Sequence, residues 1–164
     1  MNDLSLDSKK SLLGQKGLAL VMKYLATKKI GCTIPTDVLD PEIDLWMHPN
    51  FPDETGTVGS QIKTKVPWIF EKSQSFTSYQ WSKYQHLNSL WMICVPAADK
   101  YSNKDIWSGN VYHFNPHDVK TNLKSTNGGR EMVLIPLSQL SSPTFKITNQ
   151  KDLDQLKRFA TEEE

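Results

Sequence analysis

Asp44 opens one apolar run and Gln61 and Lys63 alternate through the next, so a carboxylate, an amide oxygen and an ammonium are carried on two neighbouring segments. Those segments, PEIDLWMHPNF (41–51) and TVGSQIKTKV (57–66), read as strands separated by a connection rich in Pro, Asn, Asp and Gly, which predicts an antiparallel hairpin. The side-chain period of a strand is two. Gln61, Lys63 and Lys65 therefore share one face while Ile62, Thr64 and Val66 take the other, and Asp44 and Trp46 oppose Ile43, Leu45 and Met47 in the same way. A register that sets Asp44 opposite Gln61 and Lys63 gathers the three head groups. Carboxylate and amide oxygens are hard ligands suited to Mg²⁺, which keeps several waters and takes one or two carboxylates together with phosphate oxygens. A lysine beside such an ion can orient the attacking water or offset charge developing on phosphorus. The set suits phosphodiester hydrolysis; the plainer alternative is a solvated sheet face with an incidental cation.

The elements that must position these groups follow from the pattern. A first helix is predicted from Asp7 or Ser8 to about Lys29, with Leu13, Gly17, Leu20, Val21, Tyr24 and Leu25 as its apolar stripe and Gly31 ending it. GCTIP (31–35) reads as a short strand, followed by the Asp44 and Gln61 strands, a second helix over about 76–87 and a buried strand, SLWMICVP (89–96). Beyond that, NVYHF (110–114) and MVLIPL (132–137) read as strands, NPHDVKTNL as a short helical turn and KSTNGGRE as a hairpin or loop. A last helix is expected from about Gln150 to Phe159.

The stretch from Lys10 to Lys65 resembles the core of the PD-(D/E)XK, or restriction-endonuclease-like, nucleases, and in particular the small branch that includes Holliday junction resolvases and intron-encoded homing endonucleases. The matching pieces are Gly14 and Gly17 in the helix, the lysine-rich exit at 28–31, Pro35, Asp44-Leu45 and Gln61-Ile62-Lys63. The resemblance spans roughly the first 95 residues and rests on order and spacing. It implies an α/β fold with an αβββαβ core whose mixed central sheet is flanked by helices. It implies a single nuclease-like domain over 1–164, with a core at about 8–96; residues 97–164 would extend the sheet, contact DNA or a second subunit, and end in a helix.

Carried over, Asp44 would bind the metal, Gln61 would take the acidic slot of the E-x-K element, and Lys63 would be the catalytic lysine, with Mg²⁺ or Mn²⁺ as cofactor. Glutamine there offers one neutral carbonyl oxygen in place of an anion. Family members commonly carry a glutamate directly after the second glycine, where this chain has Leu18; Glu42, Asp40 and the neutral Gln15 are the nearest substitutes. The implied activity is metal-dependent endonucleolytic hydrolysis of double-stranded or branched DNA. The alternatives are a catalytically inactive nuclease-like module for DNA binding or assembly, and a protein-binding inhibitor or accessory factor.

Composition is compatible with these readings and selects none. The 164 residues, 38% hydrophobic, suffice for one core, and a net charge of +1 supplies no global cationic field. Charge is uneven, however: Lys9, Lys10, Lys16, Lys23, Lys28 and Lys29 face only Asp3 and Asp7 in the first thirty residues, and a second basic tract follows Gln61. Lys16, Lys65, Lys72, Tyr79, Lys83 and Arg130 are the candidate DNA contacts, because lysines interleaved with aromatics suit phosphate tracking and base stacking. A small chain contacting about 1,000 Å² or more of nucleic-acid interface is expected to work as a homodimer or higher symmetric oligomer. Cys32 and Cys94 lack a C-x-x-C partner and read as buried thiols in a reducing compartment. His113 and His117 are the only closely spaced imidazoles, and Pro116 between them spoils a shared helical face for zinc. With no apolar stretch near about 18 residues, no membrane span is expected, and the cytoplasm is the expected location.

Overall fold

The computed structural model describes residues 6–36, 42–50, 53, 55–67, 73–96, 109–125, 128–140 and 142–160. The first helix, α1 (Leu6–Thr27), turns Leu20, Val21 and Leu25 into an apolar core. It stops through a backbone device that the sequence does not advertise. Ile30 N–H donates to Leu25 O (2.9 Å) and Lys29 N–H to Ala26 O (3.1 Å), the paired bonds of a Schellman close. The left-handed position falls on Lys29 (φ 58°), and Ile30 packs against the α1-side core. Gly31, expected to end the helix, instead opens the first strand.

The remaining elements in chain order are β1 (Gly31–Thr33), β2 (Leu45–His48), β3 (Val58–Lys65), β4 (Ser73–Thr77), α2 (Ser78–Tyr84), β5 (Ser89–Cys94), β6 (Asn110–Phe114), β7 (Asn122–Ser125), β8 (Glu131–Pro136), β9 (Phe145–Lys146) and α3 (Gln150–Ala160). Six strands form one sheet in the order β1-β2-β3-β5-β6-β9, and β4-β8-β7 form a second. In the first sheet β3 and β5 run parallel and the other neighbours antiparallel. The fold is mixed α/β.

Two apolar layers lie on opposite faces of the six-stranded sheet. On one, Ile62, Trp91, Ile93 and Val111 meet Val21 and Leu25 of α1 and Leu156 of α3. On the other, Leu90, Met92, Cys94 and Tyr112 meet Trp81 and Tyr84 of α2 and Phe76, Val133 and Ile135 of the second sheet. β5 is buried at all six residues because it is covered on both faces. At Gly17 the first helix comes so close to β3 that an added Cβ would lie 1.9 Å from Thr64 Oγ1.

The predicted order of helix, three strands, helix and strand is present, with one addition. Residues 73–77, partly assigned to the second helix from the sequence, form β4 by pairing with β8. The helix begins only at Ser78, behind a capping box: Thr77 Oγ1 accepts from Gln80 N (3.1 Å) and Gln80 Oε1 accepts from Thr77 N (3.3 Å). Downstream, the helical turn expected over 115–123 shortens to a 3-10 turn at Pro116–Asp118. Asn122–Ser125 become β7, which pairs with β8 as a hairpin. Among the described residues, no helix is long and apolar enough to cross a membrane.

Candidate active site at the open edge of β3

The β2–β3 register sets Leu45 opposite Ser60, Trp46 opposite Gly59 and Met47 opposite Val58. Asp44 N–H extends the ladder by one bond to Ser60 O (2.8 Å), and there it stops. β3 runs on to Lys65 with β5 paired along its other side as far as Cys94. From Gln61 onward, the β2-side edge of β3 faces no strand among the described residues. The carboxylate of Asp44 fills the first position of that gap: Oδ2 accepts from Ile62 N (2.9 Å) and from Gln61 Nε2 (2.5 Å). Asp44 thus caps an unpaired strand edge as well as presenting a charge.

Gln61, Lys63 and Lys65 point to the face shared with Leu90, Met92 and Cys94, the side covered by α2 and the second sheet. Gln61 and Lys63 thus lie on one side of the sheet, and the Asp44 carboxylate meets Gln61 at its edge. Gln61 is buried, at 5% exposure, while Asp44 and Lys63 are half-buried. Lys63 Nζ stands 5.1 Å from the centroid of the Tyr84 ring. Lys65 Nζ lies 4.1 Å from that of Phe76 and donates to Ser75 O (2.6 Å) on β4. Burial is the largest influence on both titrating groups at this edge. It raises the Asp44 pKa above the ordinary aspartate value, against the lowering effects of the Ile62 N–H, the Lys63 charge and the Gln61 amide. It lowers Lys65 to about 8, with repulsion from Lys63 adding to the effect.

Among the described residues neither Asp44 Oδ1 nor Gln61 Oε1 has a hydrogen-bond partner, so two oxygens remain for a hard cation. A group of three or more His, Cys, Asp or Glu residues able to hold a metal does not occur among the described residues. Any ion at this edge would have to complete its shell with water and the substrate's own oxygens. Glu42 precedes β2, which starts only at Leu45, and its carboxylate acts electrostatically on Lys83 of α2. Leu18 packs against the α1-side apolar layer, across the sheet from Gln61 and Lys63, and Gln15 is exposed on α1. Asp40 lies outside the described residues.

Past the carboxylate, a cleft of about 520 Å³ opens between α1, the end of β3, α2 and α3. Lys63 and Lys65 line it together with Lys10, Gly14, Gln80 and Phe159. Lys10 and Gln80 were not among the sequence candidates. The Thr77–Gln80 capping box is legible as T-x-x-Q and would have fixed the helix start, but nothing in it points to the cleft.

The other candidate contacts scatter. Lys16 forms an ion pair with Asp152 of α3, which turns it to an intramolecular task. Tyr79 is 69% exposed on α2, with Lys83 Nζ 4.6 Å from its ring centroid. Arg130 is exposed in the β7–β8 connection, next to Gly129 at φ 73°. Lys72 lies outside the described residues. His113 and His117 part company. His113 stacks on Trp91 (centroids 4.3 Å) and its Nε2 lies 2.7 Å from Ser89 Oγ, itself 2.7 Å from Ser60 Oγ. His117 lines a separate recess with His86 and Trp81. Both cysteines are free thiols, Cys94 buried and Cys32 half-buried. Set against protein-family models, curated proteins and solved structures, the chain finds no match in any of the three comparisons.

Proposed function

We propose that this chain is a metal-dependent endonuclease of the restriction-endonuclease-like type, hydrolysing phosphodiester bonds of double-stranded or branched DNA. The observation that carries the reading is the meeting of Asp44 and Gln61 at the open edge of β3, with Lys63 one step along the same face. The order α-β-β-β-α-β, interrupted only by β4 before α2, and a mixed sheet with α1 and α3 on one face and α2 with the second sheet on the other support the fold that the resemblance implies.

Asp44 Oδ1 and Gln61 Oε1 are the atoms that would hold Mg²⁺ or Mn²⁺. The bound ion would polarise a phosphoryl oxygen and make a coordinated water more acidic. Because burial disfavours the Asp44 charge, a cation or a phosphate-bound cation relieves a cost already present at this carboxylate. The Gln61 amide donates to Asp44; it must turn about its last torsion before its oxygen faces the same point as the carboxylate. Lys63 lines the cleft beside this edge, where its ammonium would offset charge on the phosphoryl oxygens. A duplex cut on both strands needs two such sites, so a homodimer belongs to the proposal.

A second reading draws on the same Gln61–Asp44 bond. Left closed, with Leu18 offering no acid, the edge is a structural cap on an inactive DNA-binding module. The two readings separate in one assay. Nicking of supercoiled DNA that requires Mg²⁺ or Mn²⁺ and disappears in Asp44→Ala and Lys63→Ala supports the nuclease. Salt-sensitive binding that is indifferent to metal and to both substitutions, with no nicking, supports the module.

A further inference from the structure

The cleft next to Asp44 is lined by two lysines, Lys10 and Lys65, besides the Lys63 that hydrolysis at a single phosphate uses. Lys63 and Lys65 are two residues apart on one strand, so their stems leave the sheet on the same face about 6.7 Å apart, a separation close to that of successive phosphates along a nucleic-acid strand. Lys10 lines the same cleft from α1, and among the described lining residues there is no carboxylate. Gly14, also in the wall, leaves the space open: an added Cβ there would meet nothing within 4 Å. Gln80 adds a polar side chain from the first turn of α2.

We infer that Lys65 binds the phosphate adjacent to the scissile one, making the cleft a second phosphate subsite that selects polymeric nucleic acid over an isolated phosphodiester. This rests on the nuclease reading for the position of the scissile group, and on the cleft alone for the subsite. In the free protein Lys65 is held by Ser75 O and the Phe76 ring. A phosphate in the cleft exchanges that neutral acceptor for an anion and offsets the repulsion between Lys63 and Lys65.

The test compares wild type, Lys65→Gln and Lys65→Arg in two measurements. The first is the salt dependence of binding to a fluorescent DNA oligonucleotide without divalent metal. Loss of one phosphate contact should reduce the slope of log K against log salt by about 0.7 to 0.9 in Lys65→Gln, with Lys65→Arg keeping the wild-type slope. The second is cleavage, with Mn²⁺, of the oligonucleotide and of bis(p-nitrophenyl) phosphate, which has a single phosphate. Lys65→Gln should raise KM for the oligonucleotide about tenfold at unchanged kcat, leave the small diester untouched, and be rescued by arginine. An unchanged slope in Lys65→Gln, alongside a wild type that cleaves, overturns the subsite and leaves the nuclease reading standing. A reduced slope in Lys65→Gln, alongside a wild type that cleaves neither substrate, does the reverse. Equal loss of kcat on both substrates makes Lys65 part of the reacting centre and overturns the subsite, and failure of wild type to bind the oligonucleotide overturns both. Thermal melts of the two variants show whether losing the Ser75 bond unfolds the chain, and the arginine variant retains the test if glutamine does.

Discussion

Gly17→Ala is the substitution that most directly tests how the first helix seats on the strand carrying Lys63. The new methyl would stand 1.9 Å from Thr64 Oγ1 and 3.0 Å from Ile93 Cδ1, with Thr64 Cβ at 3.2 Å. The first contact is about 1.5 Å short of ordinary van der Waals separation, more than a small adjustment absorbs. Rotating Thr64 moves its hydroxyl but not its Cβ, and a β-branched side chain in a strand has few alternatives. Overpacking of this kind costs about 3 kcal/mol, and the better helix propensity of alanine returns about 1, leaving a net loss of about 2 kcal/mol. For a chain of this size that corresponds to a fall in Tm of roughly 4 to 8 °C, read by calorimetry. Thr64→Ala removes the clashing oxygen, a buried atom with no hydrogen-bond partner, so the double variant should recover more than 1 kcal/mol of the loss. A Gly17→Ala protein that melts at or above wild type would refute the close approach and the inference that α1 is locked to β3.

Three further outcomes are expected. Lys29→Gly should raise stability by about 1 kcal/mol in urea unfolding, because only glycine takes the left-handed conformation without penalty; no gain would mean that Lys29 does not hold that conformation. Asp44→Asn keeps an acceptor for Ile62 N and Gln61 Nε2 while removing a charge that burial disfavours. Since the folded-state pKa is raised, ionised Asp44 subtracts stability above its unfolded value, so the variant should melt higher than wild type at pH 7.5 and lose that advantage as the pH falls towards 4, while nicking disappears; a lower melt at pH 7.5 sinks the assignment. Desolvation where its ring stacks on Trp91 lowers the pKa of His113, a residue otherwise exposed, so the folded protein binds fewer protons there than the unfolded chain. The stability it contributes is full above about pH 6.5 and declines as pH falls below that value; chemical unfolding across pH 5 to 7.5 should show the decline, reduced in His113→Gln.

Where side chains alternate strictly, the sequence was legible. The period-two pattern of 57–66 put Gln61, Lys63 and Lys65 on one face, and the hairpin it suggested has a register that brings Asp44 to Gln61. Helix α3, with its regular apolar spacing, lies within one residue of its expected end. What escaped depends on partners distant in sequence. Ser73, Gln74 and Ser75 have no strand-like chemistry of their own and become β4 only because β8 pairs with them. Lys16 reads as a free cation until α3 brings Asp152 to it. The same holds for Lys65, whose position on a face was readable but whose depth was not, since Phe76 and Ser75 of the second sheet cover it.

The pairing of β4 with β8 also has a consequence in time. As the chain leaves the ribosome, β4 is complete about sixty residues before β8, and at roughly 5 to 20 residues per second that is a wait of about 3 to 12 s. For about the last forty residues of that wait, from the end of β5 at Cys94 to the end of β8 at Pro136, Met92 and Cys94, among the most deeply enclosed side chains of the finished molecule, have no cover from β8. A nascent chain stalled in that interval exposes an apolar sheet face and a thiol, and is a natural client for chaperones that hold hydrophobic strands.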